Sequence, residues 1–211
     1  MLELAGVSCI NDGMVLFERI SMTIPNATHV YLRGENGTGK TSLLKTIALL
    51  RPIELGKIIW DGAWVKEIKI KYKSSLQYVG HKQFFIPELS CIDNLFYVLS
   101  LYGELTTRES IQRILEISGM IEFSDTPFIM LSAGCKQKLS LAQLFLRENL
   151  KLWLLDEPFI NLDANSSNWF NSAQSDFVSK GGIIIESTHT KRAFEGQQII
   201  LTKSHEVVTD D

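Results

Sequence analysis

The chain has few cysteines, no long apolar run and no surplus of positive charge, and each shortage closes off a class of protein. Cys9, Cys91 and Cys135 are the only cysteines among 211 residues. An odd number, widely spaced and without a CxxC pair, supports neither a disulfide framework nor a thiolate metal site. A reducing compartment is the simple expectation. No stretch approaches the roughly 18 apolar residues of a membrane-spanning helix. The longest, Leu95–Leu101, is interrupted by Ser100. Met1-Leu2-Glu3-Leu4 lacks the positive n-region of a secretory signal, so none is expected. Work at a membrane would therefore have to go through partners. Lys and Arg number 21 against 24 Asp and Glu, a net charge of −3. Duplex binders usually carry a basic surplus that displaces counterions from phosphates, so no nucleic-acid partner is expected.

What is present suits a folded α/β protein. Hydrophobic residues make up 45% and charged residues 21%, enough to build a core. His29–Arg33 predicts a short buried strand running into a glycine loop. Leu43, Leu44, Ile47 and Ala48 follow with helical spacing. Lys57–Trp60 and Gln77–Val79 predict strands, with Asp61-Gly62 as a tight turn. From Ser90 to Gly119 the signals are helical: Ser90 and Asp93 form a capping pair, a second helix starts near Thr107, and Gly119 suits a C-terminal cap. A further helix is predicted over roughly Lys136–Glu148. Leu152–Leu155 is too short for a helix and suits a buried parallel strand. A helix marked by Trp169, Phe170, Ala173 and Phe177 should stop at Gly181-Gly182, before a strand at Ile183–Ile185. Ile199–Leu201 and Glu206–Val208 are terminal strand candidates. Alternating strands and helices imply an α/β domain, with a helical insertion at roughly 82–135.

Three segments carry chemistry. Gly34-Glu35-Asn36-Gly37-Thr38-Gly39-Lys40-Thr41 matches G-x-x-x-x-G-K-[ST] between a strand and a helix. Glycines let backbone N–H groups converge on an anion, and the helix that follows turns its positive end toward it. Lys40 is placed to pair with β- and γ-phosphate oxygens. Thr41 is expected to offer its hydroxyl to Mg²⁺, with Ser42 beside it. Leu152-Trp153-Leu154-Leu155 ends in Asp156 and Glu157. An acid at such a strand tip suits Mg²⁺, and the next suits orienting or deprotonating the attacking water. Leu131-Ser132-Ala133-Gly134-Cys135 is a small-residue loop at a helix start, a second anion site or simply a capped helix.

These segments, with Leu155-Asp156-Glu157-Pro158, Asn161-Leu162-Asp163 and Thr188-His189, stand in the order found in ABC ATPases, which the chain resembles over essentially its whole length. The resemblance implies a P-loop NTPase fold of the ABC type, a single nucleotide-binding domain over 1–211 with a helical subdomain insertion and an N-terminal antiparallel β part. It implies ATP and Mg²⁺ as cofactors and an ATP-dependent head-to-tail homodimer. Ser132 and Gly134 of one copy would face the γ-phosphate held by Lys40 of the other. Asp163 would communicate across the interface, and His189 would contact the γ-phosphate while holding Glu157 and the water.

Two departures narrow the family. Where most ABC ATPases carry a glutamine, Tyr78-Val79-Gly80-His81 presents His81, with Gln83 two residues on as the alternative. The signature is Leu-Ser-Ala-Gly rather than Leu-Ser-Gly-Gly. Together with Gly39-Lys40-Thr41-Ser42-Leu43-Leu44 and Leu152–Phe159, they are similar to the ATP-binding subunits of the cytochrome c maturation haem exporter. That family implies a peripheral subunit on the cytoplasmic face of the inner membrane, or its organellar equivalent. It implies permease partners of the CcmB and CcmC type, and hydrolysis tied to release of a haem-loaded chaperone. An ATPase for another small-molecule exporter shares the same chemistry, and a soluble ABC regulator is the alternative of another class. Cys135 replaces the family's usual glutamine, as a tolerated small residue or a reactive thiol. Cys9–Met14 contains no aromatic to stack on adenine, leaving Ile10, Met14 or Phe17. Phe84, Phe85, Ile86 and Pro87 suit either a groove for a membrane partner's coupling helix or packing of the insertion.

Overall fold

The buried positions near the N-terminus are Leu2 and Leu4, then Val7 and Cys9. The inward phase of the alternation slips once between the two pairs. In the structure, a computed structural model describing residues 1–11, 14–81, 84–103, 107–147, 149–188, 197–202 and 207–210, this slip is a β-bulge. Strand β1 (Leu2–Asn11) pairs antiparallel with β2 (Met14–Ile24), and the register shifts between Leu4 and Val7. Strand β3 (Thr28–Arg33) leads into helix α1 (Lys40–Ile47). Strands β4 (Leu55–Trp60) and β5 (Ala63–Trp64) are joined through Asp61 and Gly62, whose φ values of 48° and 82° suit a two-residue hairpin turn. Helix α2 (Lys69–Ser74) and strand β6 (Leu76–Val79) follow.

Three helices come next: α3 (Cys91–Leu101), α4 (Arg108–Ile117) and α5 (Ala133–Ala142). Strand β7 (Leu152–Asp156), helix α6 (Ala164–Ser179) and strands β8 (Ile183–Ser187), β9 (Gln197–Leu201) and β10 (Val207–Asp210) complete the chain. The antiparallel sheet has the order β2-β1-β4-β5, and a second sheet the order β10-β9-β3-β8-β7-β6. In the latter, β9, β3, β8, β7 and β6 are mutually parallel neighbours, and β10 runs antiparallel to β9. The chain thus has an α/β fold with a separate antiparallel part built on its N-terminal strands.

By contacts the chain divides into two compact units: Met1–Gly80 with Leu150–Glu157 and Ser175–Asp211, and His81–Asn149 with Pro158–Gln174. In the first, Val30 and Leu32 of β3, Leu43 and Ile47 of α1, and Leu154 and Ile185 of the parallel sheet share one core with Leu4 and Phe17 of the antiparallel sheet. Each fully buried Leu or Ile contributes about 1.5–3 kcal/mol. Helix α1 is therefore clamped from both sides, and its first turn is held at the end of β3.

The second unit has its own core, built on Ile92, Leu95 and Leu99 of α3, Ile111 and Leu115 of α4, and Leu139 of α5. Ser90 and Thr107 cap α3 and α4 by accepting from Asp93 N and Ser110 N. Gly119, at φ 65°, closes α4, and Met120 N bonds Leu115 O at 2.6 Å. The helix predicted over Lys136–Glu148 starts earlier, at Ala133, because Ser132 caps it by accepting from Cys135 N. It tightens after Ala142 into a 3-10 turn over Gln143–Leu146. Helix α2 and strand β5 carry too few residues to show a period and were not predicted.

Candidate functional site

The carboxyl ends of three parallel strands meet in register. Leu32 of β3 pairs with Ser187 of β8, and Ser187 pairs with Asp156 of β7. In open α/β sheets ligands bind beyond such ends. The Gly34–Thr41 loop leaves β3 there. Gly34 has a φ of 148°, and a Cβ at this position would drive into the backbone carbonyl oxygen of Leu201. The loop therefore runs closer to β9 than any other residue permits. Gly39 precedes α1 without any side chain to cap it. The orphan N–H groups of the first turn are left for an anion at the helix's positive end.

Lys40 lies in this loop, almost wholly buried. Its Nζ donates to Gly34 O at 2.7 Å and Glu35 O at 3.0 Å. Burial draws its pKa down, and the carboxylates of Glu157 and Asp156 oppose that shift. Thr38 Oγ1 donates to Glu35 O at 3.0 Å and braces the turn. Glu35, Asn36 and Gly37 are exposed at its tip. Ser42 Oγ accepts from Arg51 Nη1 at 3.2 Å.

Asp156 is 3% exposed, and a carboxylate that deep needs hydrogen-bond donors. Thr41 Oγ1 donates to its Oδ2 at 2.8 Å and Ser187 Oγ to its Oδ1 at 2.7 Å. The Tyr78 hydroxyl donates to Oδ2 at a longer 3.4 Å. Burial, then the charge and hydrogen bond of Asp156, push the Tyr78 pKa up, so this hydroxyl keeps its proton at neutral pH. Glu157, half-buried, sits at φ 54°, a left-handed conformation that costs a non-glycine residue about 1 kcal/mol or more. Its backbone N–H donates to Ser187 Oγ at 2.9 Å. Ser187 thus holds both acids at once, one through its proton and the other through its lone pair.

One carboxylate beside one alcohol at a helix start is a hard oxygen donor set. It fits Mg²⁺, which is held by one or two carboxylates plus substrate phosphates and keeps several waters. Among the described residues no group of three or more His, Cys, Asp or Glu could hold a metal by itself.

In the second unit, Ser132 and Ala133 are exposed and Gly134 half-buried. A Cβ on Gly134 would stand 2.8 Å from Asn161 O, so glycine is what allows α5 to approach that backbone. Gln137 Nε2 donates to Pro158 O at 2.8 Å and fixes the same helix to the same segment. Asp163 Oδ1 accepts from Ser166 N at 2.7 Å and caps α6. Those hydrogen bonds, with Lys138 as a smaller influence, hold its carboxyl below the usual range. His81 is exposed, while Gln83 and His189 lie outside the described residues.

The two candidate sets are thus distributed over two units: Gly34–Ser42, Asp156 and Glu157 in the first, and His81, Ser132–Gly134 and Asp163 in the second. Ser187 and Tyr78 were missed from sequence. Each is a hydroxyl on a strand, and only the register of β6, β7 and β8 turns it toward Asp156. Of the adenine candidates, Phe17 is buried in the core and Ile10 is exposed.

Residues 17–160 match the ABC transporter family. The chain is 32% identical over 200 residues to the cytochrome c biogenesis ATP-binding export protein CcmA of Pseudomonas aeruginosa, covering 95% of this chain and 98% of that one. It is 34% identical over 192 residues to the protein of the same name from Aliivibrio fischeri, covering 90% and 92%. An ABC transporter ATP-binding protein from Pyrococcus furiosus superimposes with a TM-score of 0.81 at 28% identity, covering 95% of this chain and 96% of that one. A dimeric ATP-binding cassette in a post-hydrolysis state with ADP and Pi superimposes at 0.86 and 20% identity, covering 100% and 98%, a likeness of fold.

Replacing Ser187 by alanine strips a donor from buried Asp156 and an acceptor from Glu157 N–H. Ser187→Ala is expected to lower unfolding free energy by about 1–3 kcal/mol in urea titration. A change within about 0.5 kcal/mol, the level of a surface substitution, would contradict the clamp.

Proposed function

This chain belongs to the ABC transporter family, and from that premise we propose that it is the ATP-hydrolysing subunit of an inner-membrane complex in c-type cytochrome biogenesis, where hydrolysis serves haem export or release of a haem-loaded chaperone. The observation that carries the ATPase reading is the joining of Thr41, Asp156 and Ser187 beside Lys40. The cytochrome c assignment is supported by the names of relatives that the chain matches almost end to end.

In this mechanism the N–H groups of Gly34–Ser42 receive the phosphates, and Lys40 exchanges the Gly34 and Glu35 carbonyls for β- and γ-phosphate oxygens. Thr41 and Asp156 hold Mg²⁺, which when bound neutralises charge on those oxygens. Glu157 orients the attacking water and takes its proton. Its strained backbone aims the side chain off the end of β7, and Ser187 keeps it there. His189 contacts the γ-phosphate and holds Glu157, and His81, or Gln83, bonds a water. Ser132, Ala133 and Gly134 of a second copy close over the γ-phosphate, and Asp163 couples the two copies. Phosphoryl transfer depends on positioning and charge, so one copy alone should be slow.

No helix among the described residues is long and apolar enough to cross a membrane, so permease subunits of the CcmB and CcmC type provide the attachment in this reading. The second unit offers a surface for them. Phe85 packs on Phe128, ring centroids 5.1 Å apart, and Ile129 N bonds Pro87 O at 2.9 Å. Asn94 braces the segment by accepting from Ile86 N and donating to Ile86 O, Leu89 O and Ser90 O. Phe84, Ile129 and Met130 remain exposed beside this rigid frame, and an apolar helix of a partner fits such a patch. Phe85 thus serves packing, and Phe84 is free to meet a partner.

Glu157→Gln is expected to abolish steady-state hydrolysis and accumulate an ATP-bound dimer on size exclusion. Turnover at the wild-type rate would remove Glu157 from the catalytic role. Pull-down of the tagged protein from detergent-solubilised membranes of its own source should recover a CcmB-type permease; an unrelated permease would keep the ATPase and discard the haem reading.

A further inference from the structure

One segment of the first unit concentrates positive charge in a chain that is acidic as a whole. The segment Leu55–Ser74 holds Lys57, Lys66, Lys69, Lys71 and Lys73 against only Asp61 and Glu67, leaving −6 for the rest of a chain whose total is −3. Asp61 is already engaged, since its Oδ1 lies 2.7 Å from the N-terminal ammonium. Glu67 is then the one acid opposing five lysines. All five are exposed, and among the described residues none makes an ion pair. Two exposed cations elsewhere do find acids, Lys180 with Asp176 and Arg108 with Asp125.

The platform beneath these charges is rigid. Tyr72, fully buried, faces inward from α2 and donates its hydroxyl to Ile47 O at 2.9 Å, locking the helix to the end of α1. With 100° of rotation per residue, Ile70 then points away from the body, flanked by Lys69 and Lys73 on one side and Lys71 on the other. Ile70 is 88% exposed, more than any other large apolar side chain described. Beside the helix, Lys57 and Lys66 each lie 5.3 Å from the Trp64 ring.

Helix stability does not account for this pattern. Lys69 and Lys73 are like charges one turn apart, which repel. Lys69 sits at the N-terminal end, where the helix dipole disfavours a cation, and the first turn carries no acid. Nor is the face built for nucleic-acid bases, which need open aromatic platforms, because two ammonium groups already lie over Trp64. A single aliphatic apex ringed by lysines on long apolar stems matches a planar anionic layer: the isoleucine reaches the headgroup–acyl boundary while the ammonium groups stay among the headgroups.

We propose that α2 and the Trp64 surface dock directly on anionic lipid headgroups, a membrane contact separate from any permease. The inference uses no residue of the nucleotide site and stands apart from the ATPase reading. Each lysine near such a surface strengthens binding roughly fivefold, and the effect is screened by salt.

The test is co-sedimentation of the full chain with vesicles of phosphatidylcholine alone and of an equal mixture with phosphatidylglycerol, at low and high ionic strength. Binding is expected only to the mixed vesicles and only at low salt. Combined Lys66→Gln, Lys69→Gln, Lys71→Gln and Lys73→Gln substitution should weaken it by two orders of magnitude or more at roughly fivefold per charge, with solution ATPase activity and circular dichroism unchanged. Ile70→Ser should weaken it while preserving its salt dependence. Equal binding to both vesicles, binding unaffected by the lysine substitutions, or capture by a soluble acidic polypeptide without vesicle binding would overturn the proposal.

Discussion

A buried carboxylate at the end of β7 sets the geometry of the first unit's polar groups. Asp156 is withdrawn from water and must be met by donors, and it is met from two directions, by Thr41 at the start of α1 and by Ser187 at the end of β8. The Gly34–Thr41 loop cannot shift without moving Thr41 off Oδ2. The end of β8 cannot shift without moving Ser187 off Oδ1. Because Ser187 also accepts the Glu157 N–H, the same contact fixes where the second acid begins. A charge costly to bury thereby ties loop, helix and two strands into one arrangement.

That arrangement accounts for the irregular backbone around it. Glu157 holds a left-handed conformation in the residue that follows Asp156, and such strain persists only where neighbours over-determine it. The Ser187 bond is one such neighbour. Gly34 runs where a side chain would meet Leu201 O, bringing loop N–H groups to the strand ends. In the second unit a comparable economy of space operates at Gly134, where the helix start approaches Asn161 O. At both places a backbone approaches closely where a side chain would keep it away, and both segments are candidates for contacting phosphate.

The Gly34–Thr41 loop was legible in the sequence as a candidate phosphate site because that reading rests on residue identity at fixed spacing: glycines for the turn, then Lys40 and Thr41. The strand at Leu152–Asp156 was legible because it is buried on both faces and ends abruptly in acids. Caps at Ser90 and Gly119 were legible for the same local reason. Ser187 and Tyr78 were not, because a serine or tyrosine on a strand has no distinguishing neighbour in sequence. Its partner is chosen by register across strands distant in the chain. The strands of Leu2–Asn11 and Met14–Ile24 carried no clean alternation, since the bulge between Leu4 and Val7 flips the inward phase partway along. The antiparallel part was therefore reached through family resemblance rather than periodicity. The 3-10 turn after Ala142 likewise has no composition that separates it from a continuing helix.

The claim on which the account rests is that Asp156 is the centre of the nucleotide site and shares Mg²⁺ with Thr41. A magnesium titration of nucleotide binding and hydrolysis in Asp156→Asn tests it most directly. Asparagine preserves the shape and removes the charge. The account predicts that ATP still binds through the loop and Lys40, that magnesium no longer tightens that binding, and that hydrolysis is lost. Magnesium-dependent binding and turnover equal to the unsubstituted protein would contradict it.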